Sequence, residues 1–301
     1  MDQLHAMEIF IEVARQRSFT AAGRRLGLSR ATVSKAILQL EARLDARLLH
    51  RSTREVSLTE AGQAYLGPAS ATVEQAREAA RAISRGGSEL HGPLRIQAPA
   101  SFGSEWLADA LARFVQRHPR LTPTLVVDDA LLDPIRHGFD LSIRVGGIPD
   151  SSAIALRRLA PCRGLLCASP AYLRSHGTPQ HPDALAEHKL LHFSHLTDGE
   201  QWHFTRGGER RSVPVKPAFT ANNGLVLQQA ALRGLGIVYN TSFLAQRHLR
   251  EGSLVQVLSD WELPLNYLSA LYPASRRLSP KVRALIDFLV AEYQPIPPWE
   301  K

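Results

Sequence analysis

The run Ser29-Arg30-Ala31-Thr32-Val33-Ser34-Lys35 sets two cations among small and hydroxyl side chains where a helical pattern begins. At roughly 100° per residue, Arg30, Ala31, Ser34 and Lys35 gather on one face near the N-terminus. Val33, Ile37, Leu40 and Leu44 recur at steps of four, three and four on another face, which reads as a buried stripe. Short polar and basic residues in front of such a stripe are suited to base edges and phosphates, not to bond-breaking chemistry. Ser29, Arg30, Ala31, Thr32, Ser34 and Lys35 are therefore the candidate contacts to double-stranded DNA, with Arg51 and Arg54 from the segment that follows.

The elements around this helix are legible. Ser18 can cap a short helix ending at Leu26, Gly27 makes a turn, Leu28 packs inward and Ser29 caps the second helix. Leu4, Met7, Ile11 and Ala14 form the stripe of a first helix that roofs the pair. His50–Leu58, HRSTREVSL, reads as a winged hairpin. Between Arg15 and Arg54 ten Arg and Lys face only Glu41 and Asp45, a surplus of +8 that equals the net charge of the whole chain. The bland alternative is a solvated basic face. Capped geometry, buried stripe and charge coincide here, and together they favour a phosphate-backbone footprint.

Thr59 is placed to cap a long helix, with Glu60 favourable at its positive end. Leu66, Ala69, Val73, Ala76, Ala80 and Ile83 step 3-4-3-4-3, a heptad seam that predicts dimerisation. Packing of this helix on its own domain is the alternative. Pro68 should bend it, because the proline ring clashes with the carbonyl of Ala64. Ser84–Pro93 reads as a linker. Beyond it, strands at Leu94–Ala98, Leu121–Val127, Leu141–Val145 and Leu165–Ala168 alternate with helices, which argues an α/β domain with mainly parallel pairing. A last helix is expected from Ser279 to Tyr293, followed by a frayed tail, QPIPPWEK.

The chain has 301 residues, 44% of them hydrophobic, and no apolar run long enough to span a membrane. No signal core opens it, and its two cysteines make no disulfide framework. A cytoplasmic protein with no membrane partner is expected. There is no G-x-S-x-G elbow, phosphate loop or H-E-x-x-H, so no enzyme, catalytic residue or cofactor is expected. His192 and His195 have a ligand-like spacing but no companion ligands, so no metal is assigned. Cys162 and Cys167, five apart on what reads as one strand, face opposite sides and favour packing over redox sensing.

The run LSRATVSKAILQLEARLDARLLHR followed by TREVSLTEAG resembles the DNA-binding domain of LysR-type transcriptional regulators. The match runs from Leu28 to Gly62, with Gly23 a departure from a common Ala. QAPASFGSEWLADAL, GFDLSIRVG, LAPCRGLLCASPAYL and ANNGLVLQQAALRGLGI resemble the effector domain of the same family, in its CrgA-like and DmlR-like subgroup. Val238-Tyr239-Asn240 departs from the family's L-L-P.

The resemblance implies an α+β multidomain chain. A winged helix-turn-helix domain occupies residues 1–58, a linker helix 59–85 and a hinge 86–93. A two-lobed α/β effector domain, similar to periplasmic binding proteins, occupies 94–293. Lobe I spans about 94–162 and 266–293, and lobe II about 163–265. The crossover strands are expected near Leu159–Leu165 and Leu263–Leu268. Two helix N-termini, after Pro99 and at Ala221-Asn222-Asn223, should face the cleft and hold an organic anion. Ser101, Asn222 and Asn223 would hydrogen-bond it, and Phe102 and Phe193 would wall its apolar part. Ser101 and Asn223 as mere helix caps is the competing reading.

A sequence-specific regulator is thus expected, switched by a small-molecule effector. It would be a homodimer or homotetramer with operator DNA and RNA polymerase as partners. The alternatives are a small-molecule-binding protein, a ligand-independent architectural DNA binder, or a redox-responsive regulator using Cys162 and Cys167.

Overall fold

The computed structural model describes residues 2–51, 56–83, 89–130, 132–147, 151–196, 201–274 and 278–301. The chain divides into two compact units, residues 1–88 with 132–139, and residues 89–131 with 140–301.

In the first unit, α1 (Gln3–Gln16), α2 (Phe19–Leu26) and α3 (Arg30–Leu44) are followed by the hairpin β1 (Leu49–Arg51) and β2 (Val56–Leu58) and by α4 (Glu60–Ile83). The caps form as the residue types dictate. Ser18 Oγ accepts from the Ala21 N–H at 3.3 Å, Ser29 Oγ from Thr32 at 3.1 Å and Thr59 Oγ1 from Gly62 at 3.0 Å. The core unites Ile9, Phe10 and Val13 of α1 with Val33, Ile37 and Leu40 of α3 and with Ala69 and Val73 of α4. Two motif residues have structural duties. Glu41 accepts the backbone N–H groups of Leu48 and Leu49 at 2.9 and 3.2 Å, which ties the end of α3 to the hairpin. Gly62 lies so close to the hairpin that a Cβ would stand 2.0 Å from the Leu48 carbonyl oxygen.

The burial of Ala69 and Val73, 0% and 4% exposed, corrects the seam expected to hold a dimer. Those residues, with Leu66 packed partly beside them, face α1 within their own unit, so that half of the heptad is already covered. The side chains of Ala80 and Ile83 lie outside the described residues. The helix continues through Pro68, and its opposite face exposes Ala61, Ala64, Pro68 and Ala71.

The second unit holds two five-stranded sheets. Lobe I carries β3 (Gly92–Ala98), β4 (Leu121–Val127), β5 (Leu141–Val145), β6 (Ile154–Cys162) and β14 (Asn266–Pro273), in the order β4-β3-β5-β14-β6. Lobe II carries β7 (Gly164–Ala168), β8 (Leu190–Phe193), β11 (Pro217–Ala221), β12 (Ile237–Thr241) and β13 (Val255–Val257), in the order β11-β8-β12-β7-β13. The strands β3, β4 and β5 pair in parallel, as do β8, β11 and β12. Pairing on β14 and β7 is antiparallel, because these strands enter each sheet from the other lobe. The mainly parallel expectation thus held for the pairings among those six strands and not for the pairings on β14 and β7. A hairpin, β9 (Gln201–Arg206) with β10 (Glu209–Pro214), has no counterpart in the sequence reading.

The helices of this unit include α5 (Ala100–Phe102), which runs through a π turn (Gly103–Leu107) into α6 (Ala108–Arg117). They also include α7 (Pro170–His176), α8 (Gly224–Leu232), α9 (Ser242–Arg250) and α10 (Pro280–Tyr293). The C-terminal segment is not frayed. Trp299 is fully buried, with its ring centroid 5.9 Å from Phe102, 5.2 Å from Trp106, 6.0 Å from Phe243 and 5.3 Å from Tyr293. One aromatic cluster therefore overrides the proline-rich composition of the tail. Among the described residues no helix is long and apolar enough to cross a membrane.

Candidate nucleic-acid interface and effector cavity

The reading face of α3 follows from its buried face. With Val33, Ala36, Ile37 and Leu40 inside, Arg30, Ala31 and Lys35 are exposed and Ser34 is half-buried beside them. Thr32 is also half-buried, and its hydroxyl lies 2.8 Å from that of Ser29, so the pair shapes the start of the helix. Arg24, Arg30, Lys35, Arg43 and Arg47 are exposed, and among the described residues none has an acidic partner. Arg25 is different: its Nε lies 3.1 Å from Glu12, so its charge is spent within the unit. Arg51 pairs through its backbone with Val56 in the hairpin. Arg54, at the expected wing tip, and the side chain of Arg51 lie outside the described residues. Leu38, 53% exposed, sits four residues after Ser34 and seven after Ala31, on the reading face. Sequence reasoning passed over it, although an apolar residue off the buried stripe was the available signal.

Between the lobes of the second unit lies a cavity of about 160 Å³. Lobe I contributes Gln97 at the end of β3, Asp128 and Asp129 after β4, and Arg144 of β5. Lobe II contributes Phe193 at the end of β8 and His195 just after it, Leu227 of α8, and Tyr239 and Asn240 of β12. Phe193 is thus at the cavity, as are two of the three residues in the departure at Val238-Tyr239-Asn240. Asn240 is fixed there, its Nδ2 donating to Gln228 Oε1 at 2.8 Å and its Oδ1 accepting from the Thr241 N–H at 3.0 Å.

Other expected contacts lie elsewhere. Phe102 is fully buried in the aromatic cluster and does not wall the cavity. Ser101 is 6% exposed inside the first turn and is not among the lining residues; nor does it cap, since Pro99 holds the cap position. Asn222 does not line the cavity, and Asn223 caps α8, accepting from Leu225 and Val226 at 3.0 and 3.2 Å.

The position expected for an effector anion is filled by the protein. Asp129 Oδ1 accepts the Ala100 N–H at 3.0 Å, at the start of the first helix. Its Oδ2 accepts from Asn223 Nδ2 at 2.8 Å, at the start of the second. One carboxylate therefore joins both helix starts and both lobes, as a free carboxylate was expected to do. Burial pushes the Asp129 carboxyl above the usual carboxylate range, against the opposing pull of these two donors.

The cysteines belong to different sheets, Cys162 to β6 of lobe I and Cys167 to β7 of lobe II, which corrects their placement on one strand. Both are buried, and burial pushes each thiol up to about 12. A thiol so far from ionising lacks the thiolate that oxidants attack, which disfavours the redox alternative. Among the described residues no cluster of three or more metal-ligating side chains occurs, and His192 and His195 gain no third ligand.

A winged helix-turn-helix unit and a two-lobed α/β unit with an inter-lobe cavity define a DNA-binding, ligand-responsive class of protein. Residues 4–63 match the lysR family of bacterial regulatory helix-turn-helix proteins, and residues 87–294 match the LysR substrate binding domain. An HTH-type transcriptional regulator of Xanthomonas campestris is 37% identical over 286 residues, 94% of this chain and 83% of that protein. The regulator CrgA of Neisseria meningitidis is 30% identical, over 95% of each chain. The solved CrgA structure matches with a TM-score of 0.62 at 29% identity, over 96% of this chain and 98% of that one. The full-length Vibrio cholerae virulence activator AphB matches with a TM-score of 0.60 at 30% identity, over 97% and 99%. The chain belongs to the LysR family of transcriptional regulators.

Proposed function

We propose that α3 reads operator DNA through Arg30, Ala31, Ser34 and Lys35. Leu38 adds an apolar contact of the kind that recognises a thymine methyl group. Ser29 and Thr32 hold the start of the helix, and Arg51 and Arg54 follow the backbone from the wing. A small effector in the inter-lobe cavity changes the relation of the lobes, and that change alters operator binding and the response of RNA polymerase. The regulator works in the cytoplasm as a homodimer or homotetramer. With Ala69 and Val73 turned inward, the exposed small residues Ala64, Pro68 and Ala71 of α4 are the better dimer face.

The observation that carries this reading is the row of exposed, acid-free cations on a helix whose other side is fully packed. A footprint on the DNA flanking the protein's own gene tests it. Arg30→Ala should cost roughly 1–3 kcal/mol of operator binding and relax sequence preference. A pattern and affinity untouched by Arg30→Ala and Lys35→Ala together would remove α3 from the interface. Sedimentation of Ala71→Glu tests the dimer face, with dissociation expected.

A further inference from the structure

The cavity lining holds a buried acceptor without a donor, beside an exposed carboxylate. Gln97 is 2% exposed, and its Nε2 donates to the Asp128 carbonyl at 2.8 Å. That bond fixes the orientation of the amide, so the remaining atom, Oε1, is an acceptor; it is buried and has no partner. Asp128 is exposed; its Oδ1 accepts the Ala130 N–H at 2.9 Å, which leaves its second oxygen open to solvent or to a ligand donor. Asp129 stands next in the chain, already committed to Ala100 and Asn223. The lining carries two acidic side chains, Asp128 and Asp129, against one arginine, Arg144. A buried acceptor left without a donor is costly, and an ammonium group brings three donors and a compensating charge.

We propose that the cavity takes a small molecule bearing a primary ammonium group, held by Gln97 Oε1 and the Asp128 carboxylate. This rests on the reading of the cavity as the effector site. It replaces the organic anion expected from the helix starts, because Asp129 fills the anion position. A cavity of about 160 Å³ suits roughly six to nine heavy atoms, since one of similar volume holds benzene. Phe193, Leu227 and Tyr239 supply apolar wall for the carbon skeleton. Arg144 and His195 belong to the same lining, so α-amino acids, which add an acidic group, are included among the probes.

The test is calorimetric titration of the full-length protein with three probe sets: the proteinogenic α-amino acids, linear primary amines of three to six carbons, and carboxylic acids of the same skeletons without nitrogen. At least one nitrogen-bearing probe should bind ten-fold or more tightly than its nitrogen-free counterpart. Asp128→Asn keeps the Ala130 bond and should weaken that probe at least ten-fold, and Gln97→Met should weaken it likewise. Acids that bind as tightly as amines, with no loss in Asp128→Asn, would overturn the ammonium assignment while leaving the cavity as the effector site. Binding unaffected by Ala130→Trp, which fills the cavity, would overturn the effector site and the assignment together. Silence from every nitrogen-bearing probe at millimolar concentration would also overturn the assignment.

Discussion

The two lobes of the regulatory unit meet along two seams of opposite character. On one, Phe102, Trp106, Tyr293 and Trp299 of lobe I and the C-terminal segment enclose Phe243 of lobe II. The rings meet edge to face, and Trp106 Nε1 donates to the Phe243 carbonyl at 3.0 Å. On the other, Asn223 Nδ2 of lobe II donates to the Asp129 carboxylate of lobe I beside a cavity. The apolar seam is non-directional and sums many contacts, each buried aromatic contributing about 1.5–3 kcal/mol. The polar seam contributes about 1 kcal/mol, the net worth of one part-buried hydrogen bond, and its groups can exchange partners with a ligand or water. The comparison teaches that the aromatic seam fixes the lobes to each other, while the polar seam is where occupancy can change their relation.

Removing the largest ring should have the largest effect. Trp299→Ala should lower unfolding free energy by about 3–5 kcal/mol, as buried large-to-small substitutions do. Ile296→Ala, three residues earlier and 55% exposed, should be close to neutral. Urea unfolding of both variants checks this, and equal small effects would mean the tail does not belong to the seam.

The polar seam separates into cap and latch. Asn223→Ala removes both the cap of α8 and the bond to Asp129, and should cost about 1–2 kcal/mol. Asn223→Ser keeps a capping oxygen but has no amide N–H for Asp129, so it should cost under about 1 kcal/mol. If the seam is the responsive one, both variants should shift the effector concentration that alters operator binding, and Trp299→Ala should not. Melting temperature and effector-dependent footprinting, measured on the same variants, separate the two contributions.

The helix-turn-helix was legible because its determinants are local. Ser18, Gly27, Ser29 and the Val33-Ile37-Leu40 stripe act within a few residues of each other, and each occupies its expected place. The partner of a helix is not local, so the stripe on α4 does not by itself tell that Ala69 and Val73 pack on α1. The cavity was legible as a place between lobes but not in its residues. Gln97, Asp129 and Asn240 come from separate strands and loops, and no spacing rule links them. Ser101 and Phe102 were misplaced because the turn after β3 faces its own core. The tail was misread because proline-rich composition carries no trace of the pocket that receives Trp299.

The smallest expected effect is the most diagnostic of the polar seam. Burial raises the folded-state pKa of Asp129, while its donors, Ala100 and Asn223, and the charge of His195 lower it and Asp128 adds to the rise. Because the net direction is upward, the folded protein binds the proton at higher pH than the unfolded chain does. The stability linked to this group is then fully present below the unfolded carboxylate pKa and is lost as pH rises through the folded one. Asp129→Asn removes the titration and leaves the protein's other carboxylates in place, so the difference between the two proteins isolates it. Wild type should therefore gain on Asp129→Asn as pH falls from 7 to 4, whatever the acids common to both proteins contribute. Melting curves of both across that range give the difference directly. A difference that shrinks on acidification would mean that the bonds from Ala100 and Asn223 outweigh burial. The latch would then be a net stabilising ion, not a carboxylate whose burial costs more than its bonds return.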